Sequence, residues 1–130
     1  MDNEAMIAVA KKYVASSNKH DASECCSLMH ADAEYVSSSV GQFKGTPDIE
    51  NMMKQYFEKF PNVHWEVPEY VLTGNCVSFK FIRTGCASAD GYPITAHGFE
   101  EIILRGGSDS SSPLISKIKV ETMRTVEHAD

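Results

Sequence analysis

Between Thr46 and Pro61 the chain commits to a helix, and everything after that helix reads as strand. Ile49, Met52, Met53, Tyr56, Phe57 and Phe60 fall at i, i+3, i+4, i+7, i+8 and i+11, one apolar stripe on one face. Thr46 stands in the capping position, Pro47 pre-sets the first helical φ, and Asp48 and Glu50 suit the positive end of the dipole. Pro61 ends the helix, because it has no N–H to donate and its ring clashes with the preceding turn.

Two helices are predicted upstream. Met6, Val9, Ala10, Tyr13 and Val14 recur at helical spacing up to Asn18-Lys19-His20. Asp21 with Glu24 three residues on reads as a capping box for a short helix carrying Cys25, Leu28 and Met29. Ala33 to Val40, rich in Tyr, Val and Ser, reads as a strand.

Downstream the period changes from helical to two. Val63, Trp65 and Val67 alternate with polar residues, and a strand runs from Pro68 toward Leu72. Thr73-Gly74-Asn75 is a turn, and Val77, Phe79 and Phe81 share one strand face. Asp90-Gly91 signals a hairpin. The next strand puts Ile94, Ala96, Gly98, Glu100, Ile102 and Leu104 on one face and Thr95, His97, Phe99, Glu101 and Ile103 on the other. Arg105 to Pro113 reads as a loop. Leu114, Ile118 and Val120 alternate with charged residues in a last strand, and the tail after Met123 reads as loose.

The order α-α-β-α-β-β-β-β defines an α+β fold: N-terminal helices packed on one face of a curved, mostly antiparallel sheet. At 130 residues one domain is expected over 1–130, with its core at about 4–123. A sheet bent around helices encloses a cone, a natural pocket for a small molecule.

Charge narrows the partners. Twelve basic against eighteen acidic residues leave a net charge of −6, which disfavours nucleic acid. No apolar run has the ~20 residues needed to span a bilayer. Cys25, Cys26, Cys76 and Cys86 form no C-x-x-C pair, and the five histidines are scattered, so no metal or other cofactor is expected. Without an export signal the thiols read as reduced, in a cytoplasmic protein. No nucleophile elbow and no glycine-rich phosphate loop is present.

Two residues stand out on the inward faces. Tyr13 lies on the apolar stripe of the first helix, either a core tyrosine bonded to backbone or a donor to a ligand oxygen. Glu100 falls among Ile94, Ala96, Ile102 and Leu104, where a carboxylate is costly unless paired or protonated. A bulge at Gly98 exposing Glu100, or a pair with Arg83, gives it a structural role instead. His97 reads as a surface or interface histidine, entering the pocket only if that bulge forms. Tyr35, Ser37, Phe57 and Phe79 are candidate pocket walls, Met52, Met53, Tyr56 and Phe60 core or wall, and Asp32 a turn residue.

Three stretches resemble the nuclear-transport-factor-2-like superfamily, which includes ketosteroid isomerases, SnoaL-like cyclases and scytalone dehydratase. They are Ala10 to Asn18 ahead of Asp21, Met29-His30-Ala31-Asp32-Ala33-Glu34-Tyr35-Val36, and Phe43-Lys44-Gly45-Thr46 leading into Ile49. The resemblance runs from about Glu4 to Met123 and implies a homodimer formed through the outer sheet face. It implies cofactor-free acid–base chemistry beside a carbonyl (isomerisation, cyclisation or dehydration) on a small apolar substrate. Ketosteroid isomerases use an aspartate base, with a tyrosine and a protonated aspartate holding the enolate. By resemblance Tyr13 takes the oxyanion tyrosine's place and Glu100 lies near the protonated acid. The base position falls on Ser37, a departure from that pattern. Phe99 to Leu104 resembles the transport-factor branch, whose members bind protein partners without catalysis.

Overall fold

A computed structural model describes residues 2–86, 93–106 and 112–127. Helix α1 spans Asn3–Asn18 and α2 Ala22–Ser27. Strands β1, Met29–Ser37, and β2, Gly41–Lys44, precede α3, Thr46–Lys59. Then follow β3, His64–Glu66; β4, Val71–Thr73; β5, Cys76–Cys86; β6, Pro93–Gly106; and β7, Pro113–Glu127.

The strands form one curved, unclosed sheet in the order β2-β1-β7-β6-β5-β3, with β4 also on β5. Among the described residues only β1 and β7 run parallel, and every other pair is antiparallel. The N-terminal helices cover the concave side, α1 against β3, β5 and β7 and α3 against β1 and β2. The core between them centres on Ala10, Ile49, Val77, Ile102, Leu104, Ile115 and Ile118, all fully buried.

Helix ends follow their local chemistry. Asp21 caps α2 by accepting from the Glu24 N–H at 3.0 Å. The reciprocal half of the box is diverted, because the Glu24 carboxylate instead accepts from buried Ser16 Oγ at 2.6 Å, tying α2 to α1. At the end of α1, His20 takes a positive φ of 59° and its ring stacks on Phe57. Its Nε2 lies 2.7 Å from the Val63 carbonyl, so that nitrogen is the donor.

Several expectations are corrected. The residue capping α3 is Gly45, at φ 87° and without a side-chain bond, so Thr46 is already helical. Met29 opens β1 rather than closing α2. The stretch read as one strand from Ala33 to Val40 turns after Ser37 into the hairpin partner β2. Ser37 Oγ makes that turn by accepting from the Ser39 and Val40 N–H groups. The tail beyond Met123 is paired, with β7 continuing to Glu127 opposite Ile94. Leu114 does not share the buried face of Ile118; Ser116 is skipped in the pairing, so Ile115 and Ile118 both turn inward. Asp32 pairs with Arg105 at 3.0 Å on the surface. The Asp90-Gly91 turn lies outside the described residues.

Candidate functional site

The site begins with how β6 is paired. Its register against β5 is unbroken from Pro93 to Ile103, so its side chains alternate without interruption. The irregularity beside Gly98 belongs to β7: His97 pairs with Arg124 and Gly98 with Thr122, leaving Met123 extra. Glu100 therefore stays on the concave face, only 6% exposed, opposite Phe79. Gly98 provides the room beside it. A Cβ there would lie 2.8 Å from the Glu121 carbonyl oxygen and inside the contact distance of the Phe81 ring.

Between sheet and helices lies a cavity with about 60 Å³ open to the centres of water-sized molecules, several times what one water needs. Glu100 and Arg83 carry its only ionisable groups other than tyrosines, among the described residues. Tyr13 enters from α1, Tyr35 and Ser37 from β1, Tyr56 and Phe57 from α3, and Phe79 and Phe81 from β5. Trp65 closes one side. Asn18 at the end of α1 holds it there, donating to the Trp65 carbonyl at 3.0 Å and accepting from its N–H at 2.8 Å.

The electrostatics follow from burial. Glu100 Oε2 is fully enclosed and, among the described residues, has no hydrogen-bond partner. An unpaired carboxylate in that position is so costly that the group takes a proton instead. Desolvation accordingly pushes its pKa from 4.5 to about 8. Tyr13, 5% exposed, is raised well above its usual range by burial first and then by Glu100. Burial and Glu100 raise Tyr35 likewise. Both tyrosines are neutral donors at every working pH. Burial also pushes the Cys25 thiol up to about 11 and Cys26 to about 12, so neither offers a thiolate.

Of the residues singled out from sequence, Tyr13, Glu100, Tyr35, Ser37, Phe57 and Phe79 all line this cavity. His97 does not. It pairs with Ile82 and Arg124 on the opposite side of β6 from Glu100, because the bulge that would have turned it inward is in β7. The Ser37 hydroxyl is engaged in its turn, also 3.3 Å from Ser39 Oγ. The Arg83–Glu100 pair does not form; Arg83 Nη1 donates to the Tyr56 hydroxyl. Sequence reasoning missed Arg83 as a site residue. The signal was available, since Arg83 continues the inward row Val77, Phe79, Phe81.

The chain is thus an α+β protein with a curved sheet under N-terminal helices and a buried acid and tyrosines in the cavity between. The SnoaL-like domain model matches residues 10–108, and the chain belongs to that family, within the nuclear-transport-factor-2-like superfamily. No curated protein sequence matches it. Among solved structures it resembles a LinA-type hexachlorocyclohexane dehydrochlorinase from Novosphingobium barchaimii, at 12% identity and TM-score 0.85 over 97% of this chain and 89% of that one. A candidate scytalone dehydratase from Novosphingobium aromaticivorans superposes with TM-score 0.79 at 9% identity, covering 98% and 87%. A ketosteroid isomerase-like protein from Erwinia carotovora atroseptica gives TM-score 0.76 at 16% identity, covering 95% and 99%. At these identities the likeness is one of fold.

Proposed function

We propose that this protein is a cofactor-free isomerase or lyase moving a proton next to the carbonyl of a small, mostly apolar substrate. One observation carries the reading: Glu100 is buried with an unpartnered carboxyl oxygen in a cavity that Tyr13 also lines. The carbonyl oxygen sits against the Tyr13 hydroxyl. Ionised Glu100 takes a proton from the adjacent carbon, and charge moves to the oxygen, where Tyr13 stabilises it by hydrogen bonding. Glu100, now the acid, returns the proton to another carbon in an isomerisation, or to a departing hydroxyl in a dehydration. With no second carboxyl or imidazole in the cavity among the described residues, one group serves both steps. Its elevated pKa makes it a stronger base once ionised.

The test is a screen of steroid, phenolic and polyketide-like enones by thermal shift, followed by turnover. A ligand at ~100 times its Kd stabilises by about 2.7 kcal/mol, a rise of several degrees for a domain of this size. Tyr13→Phe should lower kcat about 10²-fold, the usual cost of losing one oxyanion donor. Unchanged turnover in both Tyr13→Phe and Glu100→Gln would end the proposal.

The same reading includes a homodimer formed through the convex sheet face, in a cytoplasmic setting supported by four free thiols. Half-buried Ile82, Phe99 and Ile103 supply apolar surface there. Light scattering coupled to size exclusion should return twice the 14.4 kDa chain mass. A monomer at micromolar concentration sinks the dimer.

A further inference from the structure

Arg83 is the cation of this cavity, and among the described residues no carboxylate forms an ion pair with it. It follows Val77, Phe79 and Phe81 on the inward face of β5 and lines two spaces at once. One is the inner cavity around Glu100. The other is a wider depression of about 650 Å³, bounded by the exposed Asp48, Asn51, Gln55 and Lys59 of α3. Arg83, Tyr56, Met52, Ser39 and Val40 are common to both, so the guanidinium stands where the inner space meets the outer.

Its surroundings are aromatic. The guanidinium carbon lies 5.9 Å from the Tyr56 ring centre and 5.6 Å from that of Phe60. Nη1 donates to the Tyr56 hydroxyl. Among the described residues, ion pairs join Lys54 to Glu50, Arg105 to Asp32 and Lys117 to Glu34, and none involves Arg83. Acidic residues outnumber basic ones by eighteen to twelve, so a half-buried arginine without a carboxylate goes against the composition. A guanidinium offers five N–H donors in a planar fork suited to a carboxylate, and one hydrogen bond to Tyr56 leaves most of them unused.

We propose that Arg83 receives a carboxylate of the ligand, making the substrate class a small, flat carbonyl compound that also carries a carboxylate. The inference rests on the acid–base reading of Glu100 and adds the second anchor. Phe79 is the residue opposite Glu100, and Arg83 is four residues further along the same strand. At ~3.3 Å of rise per residue, about 13 Å of backbone separates the two anchors. Both side chains reach into the space between, so an aromatic ring with a short carboxylate arm bridges what remains. The carbonyl end lies at Tyr13 and Glu100, the ring among Tyr35, Phe57 and Trp65, and the carboxylate at the mouth. An arm of this kind at the reacting end would meet Glu100 instead, in surroundings that already disfavour a negative charge on that carboxyl.

The experiment is calorimetric titration at pH 7 with 3-(4-acetylphenyl)propanoate and its uncharged amide, on wild type, Arg83→Gln and Glu100→Gln. Wild type should bind the acid at least tenfold more tightly than the amide. Arg83→Gln should lose that preference while holding the amide within about twofold, whereas Glu100→Gln should keep it. If Arg83→Gln does not fold, Arg83→Lys, which keeps the charge but not the fork, should retain only part of the preference. Equal affinity for acid and amide in wild type, or a preference that survives in Arg83→Gln, overturns the inference and leaves the Glu100 chemistry standing. Failure of wild type to bind either compound also overturns it; the Glu100 reading is then decided by the enone turnover of Tyr13→Phe.

Discussion

Glu100→Gln should give a folded protein that has lost nearly all activity and is more stable than wild type at pH 8. The activity loss is expected at about 10³-fold, within the range for removing a positioned acid–base group. In wild type, kcat/KM should rise about tenfold per pH unit below pH 8 and level off above it, because only the ionised carboxylate removes a proton. The stability effect has the opposite direction. Below pH 4.5 Glu100 is protonated in both folded and unfolded chains. Between 4.5 and about 8 the unfolded chain releases that proton while the native chain keeps it, so stability falls as pH rises. Above about 8 both forms are ionised and the loss is complete.

The full span amounts to about 5 kcal/mol, from a displacement of 4.5 to about 8 at 1.36 kcal/mol per unit. That corresponds to a Tm lower by roughly 17 °C for a domain of this size. The groups that feel Glu100, namely Tyr13, Tyr35, Tyr70 and Cys25, are all raised by burial and stay neutral across this window. Arg83, the cavity's cation, stays charged throughout it. The difference between the two proteins' pH–stability curves thus isolates the one carboxyl. Scanning calorimetry from pH 5 to 9 reads it directly. Parallel curves for wild type and Glu100→Gln would mean that the carboxyl is solvated and ionised, and the proposed chemistry would go with it.

Gly98→Ala should be the most disruptive single methyl in the sheet. Its Cβ would stand 2.8 Å from the Glu121 carbonyl and 2.7 Å from Phe81 Cε2. The Phe81 ring, itself 3% exposed, can give way only into the cavity it lines, and the carbonyl belongs to the paired backbone of β7. Overpacking of this kind costs ~3 kcal/mol, about 10 °C in Tm. Displacing Phe81 also intrudes on the cavity it lines, so ligand affinity should fall in any fraction that folds. Gly106→Ala is the matched control, with nothing within 4 Å of its Cβ, and should change stability by less than about 0.5 kcal/mol. Similar melting for the two variants would show that the sheet relaxes around residue 98 at little cost.

The residues that were legible without the structure are those governed by local geometry. Strand alternation from Ile94 to Leu104 put Glu100 on the buried face, and the helical stripe put Tyr13 and Phe57 inward, because a side chain's direction follows from the period of its own element. Tyr35 and Ser37 follow the same rule on β1. The errors arose where direction depends on a partner strand. Whether a bulge falls on β6 or on β7 is a property of their pairing, so His97 and Glu100 could not be told apart from their own segment. Ser116 in β7 likewise reassigns Leu114 and Ile115.

The sequence by itself thus determined the three helices, the inward faces of most strands and the isolation of one carboxyl on an apolar face. Periodicity and capping encode these within about a dozen residues. The tertiary structure decided that β1 lies parallel to β7, that the chain beyond Met123 pairs with β6, and that Arg83 meets Tyr56 rather than Glu100. Each joins segments distant in the chain. Such contacts depend on how far the sheet curves and on which strands border which, and no local pattern records either.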